Sequence, residues 1–122
     1  MEIRERSLGS VVCLDLQGRL VTTFEDDRLT DKVNSLLFEG RRNILLNLEE
    51  VSGIDTSGLS GLIAVRRATR QSGGEIKLLN LPSRIYDLLV VTKLITLFDT
   101  VESEADAIRA FSVGSPNEVT QD

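Results

Sequence analysis

One short run of the 122-residue chain concentrates groups able to do chemistry: Ile54-Asp55-Thr56-Ser57-Gly58-Leu59-Ser60-Gly61-Leu62. It offers a carboxylate, hydroxyls and two glycines between an apolar stretch and the start of a helical pattern. A strand-to-helix turn of this kind points outward at the carboxyl end of a strand, where α/β proteins usually place their sites. Free N–H groups and the positive end of the helix dipole gather there, so added negative charge is tolerated. A covalent phosphate would bring about −1.5 to −2 of charge and strong acceptor oxygens. Gly58 and Gly61 are small and leave room for a partner to approach the first helical turn. The acids Glu50 and Asp55 would oppose a tightly held free anion, which favours a covalent phosphate that turns a permissive surface repulsive. The same residues also read as a plain helix start, because Asp55, Thr56 or Ser57 ahead of an apolar helix is an ordinary N-cap. On the residues alone both readings stand.

What the chain lacks excludes several other chemistries. It has no histidine and no tryptophan. Without histidine there is no Ser-His-Asp or Cys-His relay and no imidazole zinc site. No Ser-x-x-Lys pattern surrounds Ser57, so the serine has no evident base, and Asp55 has no phosphatase-like context. The chain therefore reads as a binding protein rather than an enzyme, with no cofactor and no metal. Its one cysteine, Cys13, cannot form an internal disulfide or a thiolate metal site, and no calcium-loop spacing occurs. Cys13 lies in the run Val11-Val12-Cys13-Leu14, which predicts a buried, inert thiol. Nineteen acids against fourteen bases leave a net charge of −5 with no basic block, so no direct nucleic-acid partner is expected. The first residues, MEIRERSLGS, mix charges and lack the apolar core of a signal peptide. The longest nearly apolar stretch, Leu88 to Phe98, contains Lys93 and is about half the ~20 residues of a membrane span. A soluble, cytoplasmic protein is expected.

The elements that must position the turn follow from apolar spacing. Ile3 to Leu8 reads as a first strand at an edge. Val11 to Leu16 reads as a strand that stops at Gln17-Gly18, with Leu20-Val21 a short further strand. Thr22 or Thr23, followed by Glu25 or Asp26, can form a capping box. Leu29, Val33, Leu36 and Leu37 then recur on one helical face, and Gly40 ends the helix. Asn43 to Leu48, nearly continuous in apolar residues, predicts a strand covered on both faces. Glu49 to Gly58 reads as a loop into a second helix, with Leu59, Leu62, Ile63, Val65 and Ala68 inward and Arg66, Arg67 and Arg70 outward. Ser72-Gly73-Gly74 stops that helix. Glu75 to Leu81 is the next strand, and Pro82 suits the first turn of a third helix whose Ile85, Leu88, Leu89 and Thr92 share a face. Leu94 to Val101 holds a turn and a short strand. Ser103-Glu104-Ala105-Asp106 caps a last helix through Phe111. Leu88, Val90, Val91, Leu94 and Ile95 are more apolar residues than one helix face buries, so they complete the core or form a partner or dimer patch. The order predicts an α/β protein: a single domain over residues 1–112, a flexible tail over 113–122, and a mixed β-sheet of about four to five strands. About four helices pack mainly on one face.

The stretch Leu46-Asn47-Leu48-Glu49-Glu50-Val51-Ser52-Gly53-Ile54-Asp55-Thr56-Ser57-Gly58-Leu59 strongly resembles the signature of the STAS domain, the anti-sigma factor antagonist family. That signature is an apolar strand, an acidic-apolar link, then Asp-Ser/Thr-Ser-Gly-Leu. Gly18-Arg19-Leu20, Gly73-Gly74-Glu75 and Leu94-Ile95-Thr96-Leu97-Phe98 resemble further parts of the pattern, so the likeness covers about residues 3 to 112. The resemblance implies a small regulatory domain that binds an anti-sigma factor serine kinase while unphosphorylated. It implies release when the kinase phosphorylates the serine that Ser57 matches, and restoration by a phosphatase. Thr56 is the alternative phosphosite. Asp55, Thr56, Ser57, Gly58, Ser60 and Gly61 form the implied partner contact. The other role open to such a domain is a scaffold, without phosphorylation, in a signalling assembly or a transport-associated complex. After Gly18-x-Leu20 many members carry an aspartate near the phosphosite. Val21 stands there in this chain, so that role is absent or passes to Glu25 or Asp26. A monomer or weak homodimer is expected.

Overall fold

Strands whose side chains are apolar on both faces must be covered on both faces, and this decides the layers. A computed structural model describes residues 1–21 and 27–113. The strands are β1 (Glu2–Leu8), β2 (Val11–Leu20), β3 (Asn43–Ile54), β4 (Glu75–Leu79) and β5 (Asp99–Val101). The helices are α1 (Arg28–Phe38), α2 (Thr56–Gln71), α3 (Ser83–Val91) and α4 (Glu104–Val113), with a 3-10 turn over Leu94–Leu97. One sheet holds the strands in the order β1-β2-β3-β4-β5, with β1 antiparallel to β2 and every other neighbouring pair parallel.

Register and period two sort the side chains. Val12, Ile44 and Ile76 lie side by side, and Leu14, Leu46 and Leu78 make the next row. These rows face the main core, which also takes Leu29, Val33 and Leu36 of α1, Leu62 and Val65 of α2, and Ile85 and Leu89 of α3. The intervening Val11, Cys13, Leu45 and Leu79 point the other way and meet Ala107 and Phe111 of α4. Strand order in space equals strand order in the chain, so the three parallel crossovers all step in one direction. Right-handed crossovers then put α1, α2 and α3 on one face, and α4, after the last strand, covers the other. This is the mixed sheet with helices mainly on one face that the spacing predicts.

The smaller face is tied by polar groups as well. Lys77, 6% exposed, pairs with Glu75 at 3.4 Å and Asp99 at 3.1 Å, and its ammonium lies 5.1 Å from the centre of the Phe111 ring. Arg6 donates to Asp15 at 2.7 Å and Glu104 at 2.8 Å, and Asn47 donates to Asp15 at 2.8 Å. The Arg6 guanidinium beside Asp15 holds its carboxyl below the usual range, with Asn47 assisting. Burial pushes the Cys13 thiol up to about 12, in keeping with the inert thiol expected.

Several boundaries differ from those the residues suggest. The strand expected to stop at Gln17-Gly18 continues to Leu20, and the expected extra strand at Leu20-Val21 is its end. Gly18 adopts φ +100, which lets the strand pass a register shift. The expected loop from Glu49 is strand as far as Ile54. Between Asn47 and Gly53, β3 slips twice against β2, so Glu49 and Glu50 are both exposed and alternation breaks. The strand at Glu75 ends at Leu79 rather than Leu81, because Asn80 turns left-handed at φ +54. Pro82 is the N-cap residue and Ser83 the first helical residue of α3. Arg66, expected outward, is partly buried and donates its Nε to the Leu97 carbonyl. Leu94 and Ile95 pack against the main core, whereas Val90 and Val91 are exposed. Ser103 caps α4, accepting from the Asp106 N–H at 3.0 Å. The last helix runs to Val113 rather than ending at Phe111, one residue into the tail expected over 113–122, while the capping threonines and acids expected at 22–26 and the rest of that tail lie outside the described residues.

The small second core makes α4 sensitive to one ring. Phe111→Ala removes both its apolar packing and the face offered to Lys77. Urea unfolding followed by circular dichroism is expected to show a loss of about 3 kcal/mol. An unchanged midpoint would mean that the Phe111 ring adds nothing to stability.

Candidate functional site

The turn after β3 is built by one aspartate. Asp55 is extended, at φ −114 and ψ −174, and is the N-cap residue of α2. Its carbonyl accepts from the Leu59 N–H at 3.0 Å, which opens the helix. Its Oδ1 accepts from the Gly58 N–H at 2.9 Å and from the Ser57 hydroxyl at 2.6 Å. One carboxylate oxygen therefore closes the cap and holds the serine. The Ser57 hydroxyl, then the Gly58 N–H, lowers the Asp55 pKa, and the positive charge of Arg19 adds to the effect. Of the three residues that could cap, the structure uses Asp55.

The other expected site residues divide by exposure. Thr56 and Ser60 are exposed, Ser57 is partly buried, and Gly58 and Gly61 are buried. The space at Gly58 is internal. A Cβ there would overlap the Leu20 carbonyl and come within 2.7 Å of Ile54 Cγ1. The glycine thus lets the first turn of α2 sit against the end of β2, and the room attributed to it for a partner is filled by the chain itself. Leu20 pairs with Ile54, so Val21 follows directly beside the turn. Glu25 and Asp26, which could supply the acid missing at Val21, lie outside the described residues.

A groove beside this turn escapes sequence reading. It has a volume of about 420 Å3 and lies between Ser52–Ile54 with Arg19 on one side and α3 from Arg84 to Val91 on the other. The available signal was the surplus of apolar residues in Leu88–Ile95, but only the fold shows that Val91 opens outward while Ile95 turns in. Among the described residues, no group of three or more His, Cys, Asp or Glu side chains could hold a metal ion. No helix among them is long and apolar enough to cross a membrane.

Two measurements test this construction. Gly58→Ala is expected to cost about 1–3 kcal/mol in urea unfolding, because the clash is with backbone that cannot swing aside. In a carboxyl NMR titration, Asp55 is expected to titrate below the ordinary value of 3.8 in the wild type. In Ser57→Ala its midpoint moves up. A depressed folded value means that the cap's contribution is complete above the unfolded pKa and fades as pH falls through the folded one. A midpoint unmoved by Ser57→Ala would show that the hydroxyl does not hold the carboxylate.

The family model described as "STAS domain" matches residues 2–107. A Bordetella bronchiseptica protein named "Putative anti-sigma factor antagonist BtrV" is 22% identical over 116 residues, covering 95% of this chain and 99% of that one. Among solved structures, the Thermotoga maritima protein TM1081 superposes with a TM-score of 0.74 at 20% identity, covering 88% of this chain and 92% of that one. The Bacillus cell fate determinant SpoIIAA, solved in its phosphorylated form, superposes with a TM-score of 0.67 at 22% identity, covering 88% and 97%. With the matched span running from the edge strand into α4, the chain belongs to the STAS domain family.

Proposed function

We propose that this protein is an anti-sigma factor antagonist: a binding module that engages an anti-sigma factor serine kinase and is released by phosphorylation at Ser57. The name of the Bordetella relative supports the general role. The observation that carries the switch is the Ser57–Asp55 hydrogen bond in the first turn of α2. It orients the hydroxyl at the carboxyl end of the parallel strands, on a turn flanked by exposed Thr56 and Ser60. In the step itself, Ser57 Oγ forms a bond to the γ-phosphorus of ATP. The bond from that phosphorus to the β–γ bridging oxygen breaks, ADP leaves, and the hydroxyl proton is given up.

The consequence is local electrostatics. The phosphate places about −1.5 to −2 of charge against the Asp55 carboxylate and removes the hydroxyl proton that Asp55 accepts. It also competes with Asp55 for the Gly58 N–H. A surface complementary to the unmodified turn then meets added bulk and repulsion, and the partner leaves. A phosphatase restores the hydroxyl by hydrolysis. Thr56 is more exposed than Ser57 but is not held by Asp55, which makes Ser57 the preferred acceptor.

The test is a pulldown from the source cell lysate with wild type, Ser57→Ala and Ser57→Asp as baits, read by mass spectrometry. A kinase-type ATPase is expected with the first two and not with the third. If all three recover the same proteins, Ser57 serves only the cap and the domain is a constitutive scaffold.

A further inference from the structure

The groove beside the Asp55–Ser57 turn combines an aliphatic floor with basic rims. Ile54, Ile85, Leu88 and Val91 supply the apolar surface, with Arg19 and Arg84 at its edges. Val91 is 78% exposed, so the apolar surface opens to solvent at this end. Elsewhere Arg6, Lys32, Lys77 and Arg109 each hold a carboxylate. Among the described residues neither Arg19 nor Arg84 does. Arg19 instead arches over Gly53, with a guanidinium nitrogen 3.5 Å from where a Cβ would stand. Asp87 also lines the groove, so two guanidinium groups and one carboxylate leave it net positive on a chain of net charge −5.

We propose that this groove docks an extended segment of a protein partner that presents an aliphatic side chain next to a carboxylate. The aliphatic group covers the Ile54–Leu88–Val91 floor, and the carboxylate meets the paired arginines, whose planar donors match it. Each half explains what the other does not. An aliphatic ligand alone leaves the excess positive charge of Arg19 and Arg84 over Asp87 unanswered, and an anion alone leaves Val91 in water. The floor begins at Ile54, one residue before the cap, so a segment seated here leads its owner across Ser57. The proposal rests on the reading of this chain as a partner-binding module, and it stands whether or not Ser57 is phosphorylated.

The test uses the full 15N-labelled chain titrated with short acetylated peptides carrying Leu-Asp-Leu in a Gly/Ser frame. Control peptides replace the aspartate by lysine or the leucines by serine. The Leu-Asp-Leu peptide is expected to shift the amides of Gly53, Ile54, Leu88 and Val91, and both controls to bind about tenfold more weakly or worse. The double variant Arg19→Ala/Arg84→Ala, its fold checked by its own dispersed spectrum, is expected to lose binding by about the same factor. Equal binding of the lysine peptide, shifts elsewhere on the surface, or no shifts at millimolar peptide overturn the proposal. The two readings fail separately. Groove docking retained while all Ser57 baits capture the same proteins supports the groove and removes the phosphorylation switch. Ser57 baits that differ while no peptide docks remove the groove alone.

Discussion

The parallel register of β2, β3 and β4 is the constraint on which the rest depends. It aligns Val12, Ile44 and Ile76, then Leu14, Leu46 and Leu78, into rows that one layer of helices can cover. Because the strands follow chain order across the sheet, the crossover helices share that layer and the carboxyl ends of the parallel strands share one edge. The site lies at that edge for this reason. The opposite face receives a single helix, and its smaller apolar area is supplemented by Lys77 and by the Arg6–Asp15–Glu104 pairs. Of these pairs Arg6–Glu104 reaches α4, and it is partly exposed, so it orients the helix more than it stabilises it.

One close contact joins that frame to the turn. Gly58 brings the first turn of α2 against the Leu20 carbonyl, while Leu20 and Ile54 are paired strand ends. The ends of β2, of β3 and the start of α2 are therefore one rigid corner. The Asp55 carboxylate is fixed within it by two donors, and Ser57 is fixed by Asp55. Few rotamers remain to be ordered when a partner binds, which lowers the entropic cost of recognition.

Much of this is legible in the residues. The helix face of α1 follows from period 3.6, as does that of α3 at Ile85 and Leu89, although Thr92, expected on that face, is exposed past the helix end; the two-sided apolarity of Asn43–Leu48 identifies the central strand. The cap is legible because Asp, Thr and Ser at a helix start have few other uses, although which of them caps depends on backbone geometry. The errors fall where a local rule is interrupted. The β2–β3 ladder advances nine residues from Val11 to Leu20 but eleven from Asn43 to Ile54, so β3 carries two residues that no alternation pattern accommodates. Glu49-Glu50 then looks like loop while its backbone is still paired. The basic groove is invisible for a different reason: it joins Arg19 to Arg84 and Val91, which only the folded sheet and α3 bring together.

A helix N-terminus ordinarily attracts an anion, and a bare one would simply welcome a phosphate. Here the Gly58 N–H is already used by the Asp55 carboxylate, which is also the acceptor for the serine. A phosphate on Ser57 therefore has two placements. It can displace Asp55 from the cap and take the Gly58 N–H, freeing a carboxylate, or it can stay outside and add its charge to that of Asp55. Either placement increases the negative charge at the surface of the turn, and neither requires the helix or sheet to move. The buried Gly58 against Leu20 resists such movement in any case. A switch built this way would change what a partner meets without changing the fold that presents it, so the capping role of Asp55 is compatible with the phosphorylation proposed at Ser57.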